Sequence, residues 1–240
     1  IFGQFLKIPV KINELYMEIS ERLIFLKPLI NLSQDDFFVV RILKRKKDDP
    51  QMDLSVKQLK TYSFYSWKEL ESQAERIQEF CDLNQARAYI RLNSQNSVDV
   101  SLRCIAEMTQ NLLEGNPGKN KGVWDSVSGK LGKKNWWILD IDAEHVASID
   151  YKDIYNDIGE EYIQREEKKK GKLSWIEKNA EIHHINLNMI HMNPTKSGIH
   201  LIVRPFDTRI LEKYNKTLSS AGIATIQIQK DANSILYIGK

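Results

Sequence analysis

Residues 136–142, WWILDID, form an apolar run that ends in two acids. Alternate side chains of a strand point to the same face, so Asp140 and Asp142 would project together while Ile141 points to the other side. Two like charges at the end of a buried strand are costly unless cations neutralise them. Adjacent carboxylates suit Mg²⁺ or Mn²⁺. The segment therefore predicts a core strand ending in a metal site or, alternatively, a strand that enters a polar loop with Asp142 capping a helix.

The first half of the chain alternates strand-like and helix-like patterns. Residues 36–43 and 86–92 have the apolar or alternating patterns of strands. Ser66 and Glu69 form a capping box at the start of one predicted helix. A second helix is predicted from Ser97, and its apolar residues share one face that we expect to point inward: Val98, Leu102, Ile105, Met108 and Leu112.

The second half predicts another sheet. Residues 185–189 alternate apolar and polar, and residues 199–206 follow as a strand after a turn. Asp207 can cap the next helix. Residues 225–229 and 235–238 predict a closing hairpin.

Composition is that of an ordinary globular protein of 240 residues with a net charge of only +3. No apolar run reaches the length of a membrane span. Cys81 and Cys104 are two isolated thiols, which predict reduced core cysteines in a cytoplasmic protein rather than a zinc site or a disulfide. Positive charge is clustered, as in KRKK at residues 44–47, and such clusters follow phosphates or are solvated turns.

A second candidate site is TKSGIH at residues 195–200. A small polar turn presents backbone N–H groups to an anion, and Lys196, Ser197 and Gly198 lie in this turn. His200 opens the following strand, where it would contact a triphosphate or serve as a structural residue. The remaining histidines are assigned structural roles: His145, His183, His184 and His191.

The third candidate is Lys230-Asp231, in the predicted last hairpin. Asp231 alone is an ordinary turn residue. In a mixed sheet, however, it could fall beside Asp140 and Asp142 as a third metal ligand.

The order and content of these motifs resemble those of the archaeo-eukaryotic primases, especially the primase-polymerases of phages and plasmids. That superfamily has a hydrophobic strand ending in D-x-D/E, an S-x-H element opening a strand, and a hydrophobic residue followed by an acid. The chain has WWILDID, TKSGIHLIVRPFD and IQKDANSILY in this order. The second segment is similar to the T-x-S-G-x-H pattern of phage-type members.

The resemblance implies a template-dependent nucleotidyltransferase, a primase or primase-polymerase of a bacterial or phage-infected cell. Asp140, Asp142 and Asp231 would hold two Mg²⁺ or Mn²⁺ ions, and His200 would contact the incoming NTP or dNTP. The turn residues Lys196, Ser197 and Gly198, with Arg204 and Lys230, would bind its phosphates. The implied partners are a single-stranded DNA template, a primer strand and a replication protein such as a helicase, without a membrane.

The predicted fold class is α/β (α+β). An N-terminal strand-helix module, residues 1–135, is expected to pack on an RRM-like mixed β-sheet catalytic module, residues 136–240, as one composite domain. The metal site would lie in the cleft between the two modules.

Two other functions are compatible with the same motifs. One is a non-catalytic nucleic-acid-binding module, or a degenerate primase, in which Trp136, Trp137 and Tyr237 stack on bases. The other is a metal-dependent replication-initiation nuclease with Tyr214 as nucleophile, although His183 and His184 would point to opposite faces of a strand.

Overall fold

The computed structural model describes residues 17–132, 134–146, 148–170, 190–195 and 198–239. Within these ranges the chain forms two antiparallel sheets surrounded by helices, which confirms the predicted α+β class. All strand pairs among the described residues are antiparallel. The prediction of a mixed sheet, with parallel as well as antiparallel pairs, is therefore wrong for the strands described.

The first sheet has the order β2-β1-β3-β9, and the short β4 pairs with β1. Its longest strand alternates so that Phe38, Val40 and Ile42 face the main core while Phe37 and Val39 face a smaller cluster. The bounds are β1 Asp36–Arg45, β2 Val56–Phe64, β3 Arg87–Arg91, β4 Gln95–Asn96 and β9 Asn233–Ile238.

Two helices, α1 (Ile19–Leu26) and α2 (Trp67–Asn84), contribute to the main core of the first sheet. The predicted cap is present, because the Ser66 side chain accepts a hydrogen bond from the Glu69 backbone N–H. Burial raises the pKa of Cys81 to about 12, so this thiol is a protonated core residue. A 3₁₀ turn at Lys27–Leu29 follows α1.

The smaller cluster is covered by α3 (Ser97–Leu113) and α4 (Val123–Leu131), with a 3₁₀ turn at Pro117–Asn120 between them. The predicted inward face of α3 is wrong, because it is Val100 that is buried. The predicted apolar stripe points to solvent: Val98, Leu102, Ile105, Met108 and Leu112.

The second sheet has the order β6-β7-β5-β8 and carries its own apolar cluster with two helices. The helix after Asp207 is confirmed, with Leu211, Tyr214 and Leu218 buried. The bounds are β5 Trp137–Asp142, α5 Ala143–Val146, α6 Tyr151–Lys170, β6 Ile190–Pro194, β7 Gly198–Val203, α7 Ile210–Ser220 and β8 Gln227–Gln229.

The predicted closing hairpin is wrong, because its two strands belong to different sheets. β8 pairs with β5, whereas β9 pairs with β3 of the first sheet. The turn between them includes Ala232 at a positive φ of 49°. The last strand therefore ties the C-terminal part of the chain into the N-terminal sheet, across the boundary expected near residue 135.

Ile138 and Ile202 of the second sheet, together with Trp136 just before β5, belong to the main core of the first sheet. The two sheets therefore share a continuous apolar junction. No described helix has both the length and the apolar character needed to cross a bilayer.

Candidate functional site

Asp140 and Asp142 lie on β5 at the edge of the junction. Trp136 and Ile138 belong to the shared core, whereas Leu139 and Ile141 belong to the core of the second sheet. Because strand side chains alternate, the two carboxylates continue the face of the shared core. Both residues are half-buried. The prediction that an apolar strand presents these acids on one face is consistent with this alternation.

The Asp140 carboxyl has a raised pKa, chiefly because burial removes it from water and secondly because Asp142 is close by. Arg45 and Lys47 lower the same pKa in part. A raised pKa means that the ionised form is less favourable here than in water. A cation bound beside Asp140 would relieve this cost.

His200 is the residue of β7 that pairs with Asp140 in the sheet. Its Nε2 lies 3.7 Å from Asp140 Oδ1, and its Nδ1 lies 3.4 Å from Ser234 Oγ. Burial lowers the pKa of His200 to about 4, with contributions from the positive charges of Arg22 and Arg45. The imidazole is therefore neutral at physiological pH.

A buried network of hydrogen bonds lies on the Nδ1 side of His200. Asn193 of β6 donates to Ser234 Oγ at 2.7 Å and to the Ile235 carbonyl at 2.9 Å. Arg22 of α1 donates to Asn193 Oδ1 at 2.7 Å. This chain of contacts crosses between the two sheets, so the position of His200 depends on both of them.

His145 positions the backbone of Asp142. The Asp142 N–H donates to His145 Nδ1 at 3.0 Å, so the proton is on Nε2, which donates to the Ala224 carbonyl at 2.9 Å. The structural role predicted for His145 is therefore confirmed. Its importance for the site was missed; the only signal in the sequence was its place three residues after Asp142.

The end of β1 supplies positive charge to the site. Lys47 and Arg45, from the KRKK cluster, interact electrostatically with Asp140, and Lys47 also with Asp142. Burial, then Arg45 and Arg87, lower the pKa of Lys47, while the two acids raise it. These two cations are near enough to interact electrostatically with the carboxylates, and the sequence alone could not distinguish them from a solvated turn.

Gly198 pairs with Asp142 at the start of β7, where the two backbones approach closely. A Cβ atom at residue 198 would lie 2.1 Å from the Ile141 carbonyl oxygen and 2.7 Å from Asp142 Cα. Only glycine fits without moving one of the strands. The glycine of the TKSGIH segment thus permits the approach that brings β7 against the acidic end of β5.

We expect Gly198→Ala to lower the free energy of unfolding by about 2 kcal/mol, because the added methyl group overpacks two strand backbones. Urea denaturation measures the change. Gly129→Ala is the matched control, since a Cβ there meets nothing within 4 Å and alanine favours the helix α4. Equal stability of Gly198→Ala and the wild type would contradict the close approach.

The structure does not bring Asp231 to the other two acids. Asp140 pairs with Gln227, and Asp231 lies four residues further along the chain, in the turn after β8. The Asp231 side chain is 67% exposed and lies 3.6 Å from Arg91 Nη2. The β8 strand therefore brings an amide rather than a third carboxylate to Asp140, because Gln229 Nε2 donates to Asp140 Oδ2 at 3.4 Å.

Arg204 and Lys230, which were predicted to bind phosphate, lie at the Trp137 end of β5, away from Asp140 and Asp142. The Arg204 guanidinium is 3.9 Å from the centre of the Trp136 ring, and Lys230 Nζ is 5.1 Å from that of Trp137. Both cations are therefore held against tryptophans rather than against the carboxylates. Lys196 and Ser197, like His183 and His184, fall outside the described residues.

Among the described residues, no three His, Cys, Asp or Glu side chains are grouped to hold a metal ion. Two carboxylates can still suffice, because Mg²⁺ is commonly bound by one or two carboxylates together with substrate phosphates. Asp140 and Asp142 fit this requirement, since they are hard oxygen donors on one face of β5 and the raised pKa of Asp140 disfavours its ionised form when no cation is bound.

We found no match to the chain among protein-family models, curated proteins or solved structures.

Proposed function

We propose that this chain is a template-dependent nucleotidyltransferase of the primase or primase-polymerase type. It would add nucleotides from NTPs or dNTPs to a strand on a single-stranded DNA template. The observation that carries the proposal is the pairing of Asp140 with His200 beside Asp142 and the basic end of β1. Acids, a neutral imidazole and cations meet at one edge of the junction.

Asp140 and Asp142 would hold Mg²⁺ or Mn²⁺ with oxygens of the nucleotide triphosphate. The chemistry that the ions supply is activation of the primer hydroxyl and neutralisation of the leaving pyrophosphate. The protein contributes by fixing both carboxylates on a core strand, with His145 bonded to the backbone at Asp142. Positioning and electrostatic stabilisation are the main sources of rate in phosphoryl transfer.

His200 is only 5% exposed, so in place of the expected contact with the triphosphate it would orient one of the carboxylates. Asn193 donates to Ser234 Oγ, so the Ser234 hydroxyl can donate to Nδ1, which leaves the proton of the neutral imidazole on Nε2. That proton is on the side of Asp140. At 3.7 Å from Asp140 Oδ1 the imidazole is beyond hydrogen-bond distance and acts electrostatically, whereas Gln229 Nε2 donates to Asp140 Oδ2 at 3.4 Å. Both groups are neutral, so neither adds a positive charge that would compete with a metal ion.

Arg45 and Lys47 would attract the phosphates of the nucleotide or of the template. Arg45 ends β1 of the first sheet and Lys47 lies in the turn that follows, whereas the acids lie on the second sheet, so a polyanion bound between them would contact both. Cations that interact with a pair of acids suit a substrate that brings metal and phosphate together.

The alternative of a non-catalytic binding module loses its proposed stacking surfaces. Trp136 and Tyr237 are fully buried, and Trp137 packs edge-on against Phe206. Trp136 and Tyr237 therefore cannot stack on a base in this structure, and the partly buried Trp137 has Lys230 Nζ 5.1 Å from its ring centre. The proposed nucleophile of the nuclease alternative, Tyr214, donates to Asp157 at 2.5 Å between α6 and α7.

The test is incorporation of labelled nucleotides on a primed single-stranded template with Mg²⁺ or Mn²⁺. We expect template-dependent extension that stops on addition of a chelator, and a strong loss in His200→Ala. His200→Gln, which keeps a side-chain amide donor, should retain more activity than His200→Ala. Absence of incorporation with both NTPs and dNTPs, in a folded protein, would refute the proposal.

A further inference from the structure

Helix α3 presents an apolar stripe to solvent along its whole length. Five large apolar side chains form the stripe, and their exposed fractions range from 41% to 62%. They are Val98, Leu102, Ile105, Met108 and Leu112.

The stripe occupies one face of the helix. Its members are three or four residues apart, which places them in line on an α-helix. The residues between them on this face are Ser101 and Thr109, which carry no charge. The face that packs on the protein is a different one, marked by Val100 and Cys104. α3 is therefore apolar on two sides, and only one of them is covered by the described residues.

The exposed area is large for a monomer. Five side chains that are about half exposed leave roughly 400–500 Å² of contiguous apolar surface, near the upper end of what soluble monomers carry. A stable interface buries roughly 800 Å² of surface on each partner, polar and apolar area together. The apolar area of this stripe would supply about half of that, and the polar atoms around it would supply more. Interface cores are likewise depleted of charge.

The spacing of the stripe is symmetric about Ile105. Its positions differ from 105 by −7, −3, 0, +3 and +7 residues, and Ile105 is also the midpoint of Ser97–Leu113. We propose that two copies of this chain form a dimer in which α3 packs antiparallel on α3 about a two-fold axis at Ile105. Val98 then lies at the level of Leu112 of the second copy, as an isologous interface requires.

Molar mass measured by light scattering against protein concentration tests the dimer. We expect the wild type to be dimeric at about 10 μM and Ile105→Glu to be monomeric, with a dissociation constant at least about 100-fold higher, because the substitution buries two carboxylates at the axis. Leu83→Glu is the matched control, since Leu83 is an 85% exposed leucine on α2. A monomeric wild type at about 100 μM, or a dimer insensitive to Ile105→Glu, would overturn the proposal.

Cross-linking tests the antiparallel geometry without disturbing charge. In a Cys104→Ala background, Ile105→Cys should form an intermolecular disulfide under mild oxidation. Val98→Cys alone should not form a disulfide, because the two copies of residue 98 would be about 21 Å apart along the helix axes. Adding Leu112→Cys should restore cross-linking, because residue 98 of one copy lies at the level of residue 112 of the other. Efficient cross-linking through Val98→Cys alone, or none through Ile105→Cys, would rule out this arrangement.

Discussion

Asp140→Asn is expected to reduce template-dependent nucleotide incorporation by at least about 1,000-fold, because it removes a charged oxygen ligand where metal and phosphate would meet. The fold should survive. Since the pKa of Asp140 is raised, its ionised form destabilises the metal-free protein at neutral pH, and a neutral amide relieves that cost. Initial rates of primer extension and a thermal melt measure the two effects.

Asp142→Asn should show the same loss, whereas Asp231→Asn should keep activity close to that of the wild type. Asp231 is mostly exposed and lies near Arg91, at the opposite end of β5 from the proposed site. The difference in activity between Asp142→Asn and Asp231→Asn distinguishes a site formed by Asp140 and Asp142 from a site that also includes Asp231. An Asp140→Asn enzyme that keeps more than about a tenth of the activity would contradict the role of Asp140, and an inactive Asp231→Asn would contradict the placement of Asp231.

Trp136→Ala should lower the free energy of unfolding by about 4 kcal/mol, the largest stability effect we expect for a single substitution. The indole is buried in the core that the two sheets share, and its Nε1 donates to the Leu29 carbonyl at 2.6 Å. Its backbone N–H also donates to Asn93 Oδ1 at 2.9 Å. Removing the ring leaves a cavity and a buried carbonyl without its donor.

Urea denaturation followed by circular dichroism measures this change. Trp124→Ala is the control, because Trp124 lies on α4 with 38% of its surface exposed and should cost much less. A difference between the two variants of less than about 1 kcal/mol would contradict the central position of Trp136. A loss of about 4 kcal/mol is a large part of the stability of a typical domain, so partial unfolding of Trp136→Ala at 37 °C is also expected.

Elements whose signals are local were predicted well. The Ser66 cap, the helix after Asp207 and the alternation of β5 depend on residues only a few positions apart. A helix cap is satisfied by the third residue after it, and alternation follows from the geometry of a single strand. These features are therefore present in the sequence before any tertiary contact forms.

Strand partners were predicted poorly, because pairing depends on contacts between distant parts of the chain. The pattern of β8 and β9 is that of a hairpin, yet β9 pairs with β3, whose residues lie 142 to 151 positions earlier in the sequence. The same long-range choice determines that Gln227, not Asp231, pairs with Asp140. An acid after an apolar strand can be recognised in the sequence, but its distance from another acid cannot.

By itself the sequence determined that an apolar strand carries Asp140 and Asp142 on one face, since a period of two is built into extended backbone. Only the tertiary structure decided that His200 and the basic end of β1 lie next to them. It also decided which apolar side of α3 is buried, because periodicity shows that a helix has a face but not what covers it.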